Sequence, residues 1–330
     1  MSSLPFWRAG RRPNHPNYAK SGVDNARGFI EKLDRPQFGI DVMENMGDRY
    51  AKITKWNEAI SAYSQLLDMY PGHAYAPRVQ KKIADAFIAD EQFERAFEER
   101  KMLFESYNPK SEWYAQLEQR NIEGRIAALD EAYRITEEAF RTNINYLFTI
   151  SSEREAEGES AIANYEEFVN LCNRYLENYP TDENAYEINW ALAFVLDTKL
   201  SRFEEAFTEY IRVSNDYLET NHQLDAAVNA INAADTLVKI ARAADDPTVL
   251  DGDQLANRLP SKDLSPEENL LAEAYDNFIK LFPDSPETPS VLAAAGALYY
   301  NHRQFDLAKK YYKTMVTKFP GAQQKSIGII

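Results

Sequence analysis

The chain has 330 residues and a formal net charge of −15, with 12 glycines, 15 prolines and a single cysteine, Cys172. An apolar fraction of 44% is enough for a hydrophobic core, which excludes disorder as the dominant state. One cysteine excludes an intramolecular disulfide and a multi-thiolate metal site. The acidic balance argues against a nucleic-acid-binding protein, because phosphate neutralisation requires clustered Lys and Arg. Glycine falls well below its usual share of roughly 7%, which favours helices over Gly-rich nucleotide loops.

The N-terminal residues differ from the rest of the chain in charge. Residues 1–30 carry five basic side chains against Asp24, a net +4, which leaves −19 for the remainder. Three prolines in this stretch predict an extended or loosely ordered arm over residues 1–34. The arm is either a basic contact segment that carries Phe6 and Trp7 or a frayed terminus. No signal-peptide-like apolar segment follows Met1, and no run of 18 apolar residues predicts a transmembrane segment.

A pattern of spacings recurs along the chain. An aromatic residue stands three positions before an alanine at four places: Trp56 and Ala59, Phe93 and Ala96, Phe203 and Ala206, and Phe305 and Ala308. Four residues after the alanine come Tyr63, Arg100, Tyr210 and Tyr312, so that one unit has arginine where three have tyrosine. Upstream of three of these pairs, a small residue precedes an aromatic one by three positions: Gly47 and Tyr50, Ala84 and Phe87, and Gly296 and Tyr299. The small residue allows two helices to approach closely.

These spacings resemble the tetratricopeptide repeat, an antiparallel helix pair of about 34 residues. The resemblance is clearest at Gly47, Ala59 and Pro71 and again at Gly296 and Pro320. It implies an all-α fold, an α-α superhelix in which about six helix hairpins form a solenoid over residues 35–322, followed by a tail at 323–330.

The long gaps between clear units predict further, degenerate hairpins. Residues 112–180 are expected to form a long helical hairpin, with one helix from about Glu112 to Glu153 and a second from Ser160 to Tyr179. Another pair is predicted at Leu224–Ala243 and Pro266–Phe282, separated by a loop excursion at 244–265. Ser265 and Glu268 have the spacing of a helix-capping box.

Few residues have the spacing of a catalytic or metal site. The four histidines are scattered, no nucleophile elbow or Gly-rich phosphate loop is present, and Cys172 falls at a core-facing position. Four aspartates in the loop excursion, Asp245, Asp246, Asp251 and Asp253, either collect a hard cation or simply solubilise the loop, and they lack the calcium-loop spacing. The sequence therefore predicts no enzyme activity, no cofactor and no metal.

The resemblance assigns partner binding to the first helix of each hairpin, whose free side lines the concave surface. The residues carried over by position are Asp41, Glu44 and Asp48, then Lys81 and Asp85, and finally Glu187 and Trp190. A one-residue ambiguity near Asp197 leaves the facing of the last two open. Either the acidic end favours a basic or amide-rich segment, or these charges only solubilise the groove. The repeat-position aromatics are predicted to be core: Tyr50, Trp56, Tyr63, Phe93, Phe203, Tyr299, Phe305 and Tyr312.

Several hairpins end in a short aromatic-proline junction. Tyr70-Pro71, Tyr179-Pro180, Phe282-Pro283 and Phe319-Pro320 resemble the junctions of bacterial envelope tetratricopeptide proteins, such as the lipoprotein of the β-barrel assembly machine and the periplasmic partner of the Tol–Pal system. The resemblance implies a non-catalytic scaffold that binds peptide or helix segments of other proteins within an outer-membrane or envelope complex. The alternative is the repeat or targeting part of a larger enzyme or a secretion or motility apparatus. The expected location is the periplasm, and the missing signal peptide keeps the cytoplasm as an alternative.

Overall fold

The computed structural model describes residues 22–33, 35–244 and 263–320. These residues form fourteen helices and no strand, which confirms the predicted all-α class. In chain order the helices are α1 Gly22–Ile30, α2 Pro36–Lys52, α3 Trp56–Met69, α4 Ala76–Ala89, α5 Phe93–Tyr107, α6 Glu112–Gln119, α7 Arg125–Ala156, α8 Ile162–Asn178, α9 Ala185–Thr198, α10 Phe203–Asn215, α11 Gln223–Ala244, α12 Pro266–Leu281, α13 Thr288–Asn301 and α14 Phe305–Lys318.

The chain divides into two compact units, Met1–Tyr146 and Leu147–Ile330. Within the described residues, the helices from α2 onwards, with α6 set aside, form six consecutive pairs, as predicted: α2–α3, α4–α5, α7–α8, α9–α10, α11–α12 and α13–α14. We call the first member of each pair the leading helix and the second the trailing helix. Helix α7 contributes residues to both units.

The two helices of a pair touch where the leading helix has a small residue. A Cβ added to Gly47 on α2 would lie well within 3.0 Å of the Tyr63 ring on α3. In the last pair, a Cβ on Gly296 would lie 2.8 Å from the Tyr312 ring. Tyr63 is buried, and its hydroxyl donates a hydrogen bond of 2.7 Å to Oδ1 of Asp48. The predicted close approach is therefore a ring of the trailing helix in contact with the backbone of the leading helix.

A one-residue insertion explains the ambiguous register of the α9–α10 pair. The turn between α9 and α10 has four residues, 199–202, whereas the α2–α3, α4–α5 and α13–α14 turns have three. The extra residue moves the small position back by one: Ala193 is fully buried, and Phe194 is 37% exposed. Counting from Ala193 places Glu187 and Trp190 at the same repeat positions as Asp41 and Glu44.

The turns inside four pairs share an unusual backbone conformation. Thr54, Glu91, Ser201 and Arg303 have positive φ angles of 58°, 56°, 54° and 59°. Each stands two residues before the first residue of its trailing helix. L-residues with a side chain rarely adopt this left-handed region. The same turn is thus built four times from residues that do not favour it.

The predicted helix from Glu112 to Glu153 is wrong in its first part. Helix α6 ends at Gln119, and Gly124, with φ of 75°, precedes α7. Glycine adopts this conformation without a steric cost, so it breaks the helix here. The Trp113 indole on α6 donates a 3.3 Å hydrogen bond to the His73 carbonyl, and the Arg120 guanidinium donates to the Gly72 carbonyl. Helix α6 therefore packs on the turn between α3 and α4.

The predicted loose arm is wrong for its last residues. Residues 22–30 form α1, which buries Val23 and Ile30, and the Gln65 amide of α3 donates a 2.8 Å hydrogen bond to Asp24. The prolines that predicted an arm all precede this helix. Residues 1–21, Asp34, residues 245–262 and residues 321–330 lie outside the described residues. They include most of the predicted loop excursion with its four aspartates, and the predicted tail. The capping box at Ser265 and Glu268 is confirmed.

The aromatic core prediction holds for some members and fails for two. Tyr63 is buried, and the set Tyr50, Trp56, Phe203, Tyr299 and Tyr312 is partly buried. The prediction is wrong for Phe93 and Phe305, whose side chains are 50% and 55% exposed. Both are the first residue of their helix, a position that is only partly covered in the other two units as well, at Trp56 and Phe203. Cys172 is fully buried, and burial raises the pKa of its thiol, in agreement with a packing role.

A glycine-to-alanine comparison tests the close approach. Gly47→Ala is expected to lower the free energy of unfolding by about 1–3 kcal/mol, because the new methyl group overlaps the Tyr63 ring. Gly28→Ala is the matched control, since nothing lies within 4 Å of its Cβ. Alanine favours a helix over glycine, so this control should gain up to about 1 kcal/mol. Urea denaturation measures both changes, and a gain at both positions would contradict the contact.

His73 predicts a pH dependence of stability. Burial lowers the pKa of His73 to about 4, since its Nε2 is buried and lacks a hydrogen-bond partner. The unfolded chain binds this proton near pH 6.5, so between these values the unfolded state holds more protons and is favoured. The contribution of neutral His73 to the free energy of unfolding is fully present above about pH 6.5. It falls by up to roughly 3 kcal/mol as the pH decreases towards about 4.

A variant of His73 separates this effect from other titrations. The His73 Nδ1 accepts a 3.2 Å hydrogen bond from the backbone N–H of Tyr75. In His73→Asn the amide oxygen can accept the same bond, but the side chain does not titrate. Denaturation at about pH 7 and about pH 5 should show a smaller loss of stability in this variant. An equal loss in both proteins would exclude His73 as the cause.

Candidate functional site

The leading helices of unit 1 share one charged face. Lys82 on α4 extends to α2, where its Nζ lies 2.8 Å from Oε1 of Glu44 and 2.7 Å from Oδ1 of Asp48. The same Asp48 oxygen accepts the Tyr63 hydroxyl. Sequence reasoning did not include Lys82. Two of the three acidic residues predicted on α2 therefore share one lysine within the unit, and the face has mixed charge.

Asp41 is an exposed acidic residue of this face that a partner could reach. Its Oδ1 accepts a 2.8 Å hydrogen bond from the Gln37 amide. Among the described residues, no Lys, Arg or His side chain lies within ion-pair distance of its carboxylate. An incoming cation would therefore find Asp41 without a competing cation.

The face continues from α4 to α7 through a small cavity. Lys81 and Asp85 on α4 form an ion pair of 3.2 Å within their own helix. Beside them, side chains of α4, α5 and α7 line a cavity of about 160 Å³. Its polar lining residues are Lys81, Asp85, Arg100, Glu138 and Thr142. This volume is well below the range of drug-sized pockets, so the cavity suits a single side chain.

Arg100 is the unusual member of this lining. It stands on α5 where three other units have a tyrosine. Burial lowers the pKa of the Arg100 guanidinium, and the charges of Asp85 and Glu138 oppose this effect. The guanidinium donates a long hydrogen bond of 3.5 Å to Oδ1 of Asn143. The sequence showed that Arg100 replaces the tyrosine of the other units, but it did not predict that Arg100 lines a cavity on this face.

Unit 2 brings both of its predicted residues to one aromatic cluster. The Trp190 indole and the His222 imidazole are parallel, with centroids 4.6 Å apart and an interplanar angle of 1°. His222 Nε2 lies 3.0 Å from Oε2 of Glu187. The Tyr186 hydroxyl accepts a 2.7 Å hydrogen bond from the His222 backbone N–H. Sequence reasoning missed His222 because it comes from the next hairpin, at the turn before α11.

Other classes of site find no support in the described ranges. Within residues 22–33, 35–244 and 263–320, no group of three or more His, Cys, Asp or Glu side chains has the arrangement of a metal site. In the same residues no helix is both long and apolar enough to cross a bilayer.

Comparisons with known proteins give similarity of a general kind. No family model matches the chain, and no curated protein matches it. The MamA protein crystal structure is 14% identical, with 87% of this chain and 94% of that chain covered and a TM-score of 0.25. The C-terminal part of a TPR repeat-containing protein from Cytophaga hutchinsonii is 14% identical, with 86% and 98% covered and a TM-score of 0.30. The TPR2AB domain of yeast Sti1, in a pHSP90 complex, is 15% identical, with 80% and 98% covered and a TM-score of 0.26. At these TM-scores the fold assignment depends on the helix pairs described above.

The half-buried charge of Arg100 is expected to lower the stability of the folded protein. Arg100→Met should raise the free energy of unfolding by about 1 kcal/mol, because an adaptable apolar side chain replaces a half-buried, weakly paired charge. Arg134→Met, at an exposed arginine of α7, is the control and should change stability by less than about 0.5 kcal/mol. Chemical denaturation measures both, and destabilisation by Arg100→Met would show that the guanidinium is a structural group.

Proposed function

We propose that the protein is a non-catalytic scaffold that binds segments of other proteins on the faces of its leading helices. The observation that supports this is the shared face of α2, α4 and α7 in unit 1, where charged and polar side chains of three successive leading helices lie side by side. Such a face is built from packed helices, so it is already ordered before a partner arrives. A preorganised surface reduces the entropy cost of binding.

The chemistry of each face defines the segment that it would take. In unit 1, Asp41 would bind a basic or amide group of the partner segment. The cavity lined by Arg100 would bind one further side chain of the same segment. In unit 2, the half-buried Trp190–His222 stack has the carboxylate of Glu187 at its edge. A Lys or Arg side chain would fit this second face, because a cation is attracted both to the aromatic ring and to the carboxylate.

A bacterial envelope complex is our proposal for the setting of this function. It is supported by the aromatic-proline junctions, of which Tyr70-Pro71 and Tyr179-Pro180 are two. The junction residue Tyr179 is buried, and Tyr175 on α8 lies against it with ring centroids 5.2 Å apart. Cell fractionation with the native protein tests this setting. Recovery in the soluble cytoplasmic fraction would contradict it.

The binding proposal predicts a specific kinetic effect of Asp41. Crosslinking in the native cell first identifies a partner, and association is then measured at several salt concentrations. Asp41→Lys should slow association by about tenfold at low salt and reduce its salt dependence, since a long-range attraction becomes a repulsion. Glu98→Lys is the matched control, because it makes the same charge change at an exposed position of the trailing helix α5.

The two variants separate a steering effect from an effect of net charge. Slower association only in Asp41→Lys supports binding at the leading helices. Equal slowing in both variants would mean that overall charge alone controls association. Unchanged rates in both would contradict the proposed role of Asp41 in unit 1. The corresponding test in unit 2 is Glu187→Lys, whose side chain is 57% exposed and can be changed without loss of core packing.

A further inference from the structure

The last helix pair has an apolar groove on the outer side of α14. The groove has a volume of about 520 Å³ and is lined by Tyr300, Phe305, Ala308, Lys309, Tyr312, Lys313, Val316 and Thr317. Tyr300 is 58% exposed, Phe305 55% and Val316 42%, and the Tyr300 and Phe305 rings meet edge to face with centroids 5.5 Å apart. No described residue covers these side chains, so several large apolar groups lie in one open groove.

On three other trailing helices, α3, α5 and α10, the same side is buried or lies against a later helix. The residue that follows the repeat alanine is Ile60 on α3, Phe97 on α5 and Phe207 on α10. Ile60 and Phe207 are buried, and Phe97 lies against Tyr146 of α7 with ring centroids 5.8 Å apart. These helices therefore have an apolar residue at the point where a following helix packs.

Helix α14 has a lysine at this position. Lys309 follows Ala308, and Lys313 follows one turn later on the same side, and both are exposed. A charged amine at the centre of the face would be costly to bury under another apolar helix face. The groove thus differs from the faces that receive a neighbouring hairpin, and it indicates an occupant that brings negative charge.

The charge of α14 points in the same direction. The helix contains Lys309, Lys310, Lys313 and Lys318 and only one acidic residue, Asp306, a net +3 in a protein whose net charge is −15. Among the residues that the structure describes, no acidic side chain lines the groove. From Phe305 to Val316 the groove follows about three helical turns, roughly 17 Å. This length suits a short helix with apolar anchors on one side.

We propose that the α14 groove binds an acidic amphipathic helix of another protein. Apolar side chains spaced at i, i+3 or i+4 and i+7 would enter the groove between Phe305, Tyr312 and Val316. Glu or Asp side chains beside those anchors would pair with Lys309 and Lys313. Seven of the eight lining residues lie on the trailing helix α14 and only Tyr300 lies on α13, so this inference does not depend on the faces proposed above for unit 1 and for Trp190.

The test uses the full chain and two synthetic helical peptides of about three to four turns. Both peptides carry leucine anchors at the same positions, and one has glutamate where the other has lysine beside the anchors. Fluorescence anisotropy should show that the glutamate peptide binds at least about tenfold more tightly. In the double variant Lys309→Glu and Lys313→Glu this preference should reverse. Both lysines are exposed, so the variant is expected to fold.

Other results would overturn the proposal. An unchanged preference in the double variant would place the peptide site elsewhere on the chain. Binding only after removal of residues 321–330 would make the chain's own C-terminal segment the occupant. Self-association that the double variant abolishes would make it a second copy of this chain. Sedimentation with anionic phospholipid vesicles but no peptide binding would identify a membrane surface as the occupant.

A second variant checks that the apolar part of the groove is used. Val316→Ser shortens an exposed apolar side chain in the groove and leaves both lysines in place. It should weaken binding of the glutamate peptide, whereas Val316→Ile should not. Equal affinity for Val316→Ser and the unchanged protein would mean that charge alone attracts the peptide, which would contradict helix binding in the groove.

Discussion

The contact between a tyrosine ring and the backbone of the preceding helix is the constraint on which the α2–α3 and α13–α14 hairpins depend. At Gly47 and Gly296 the leading helix offers no side chain, and the rings of Tyr63 and Tyr312 lie directly against it. This contact sets the distance between the two helices and the rotation of each about its axis. It also brings the Tyr63 hydroxyl to Asp48 and thereby buries a polar group with a partner.

Once the rotation of a leading helix is set, the polar positions beside the contact are set as well. In unit 1 this places the polar positions of α2 and α4 side by side, close enough for Lys82 to bridge Glu44 and Asp48. In the α4–α5 pair the tyrosine is replaced by Arg100 and the glycine by Ala84, and a small cavity appears in its place. The replacement of tyrosine by Arg100 thus accounts both for the departure from the repeat pattern and for the cavity on this face.

The sequence allowed the hairpins to be predicted because their spacing has a physical cause. A small residue, an alanine twelve positions later and a tyrosine four positions after that report one helix contact, at Gly47, Ala59 and Tyr63. Features that depend on the length of a turn were harder to predict, because one inserted residue changes which side chains of a helix face its neighbour. The insertion in the α9–α10 turn left the facing of Trp190 ambiguous until Ala193 proved to be the buried small residue. His222 joins Trp190 from another hairpin, a contact that no local spacing reports.

A double-mutant cycle between Gly47 and Tyr63 tests the central claim most directly. The free energies of unfolding of Gly47→Ala, Tyr63→Leu and the double variant are measured by urea denaturation. If the ring and the backbone set the hairpin together, Tyr63→Leu makes room for the new methyl group. The double variant should then be more stable than the sum of the single changes predicts, by about 1–3 kcal/mol. Additive effects within about 0.5 kcal/mol would contradict the claim that this contact determines the geometry of the pair.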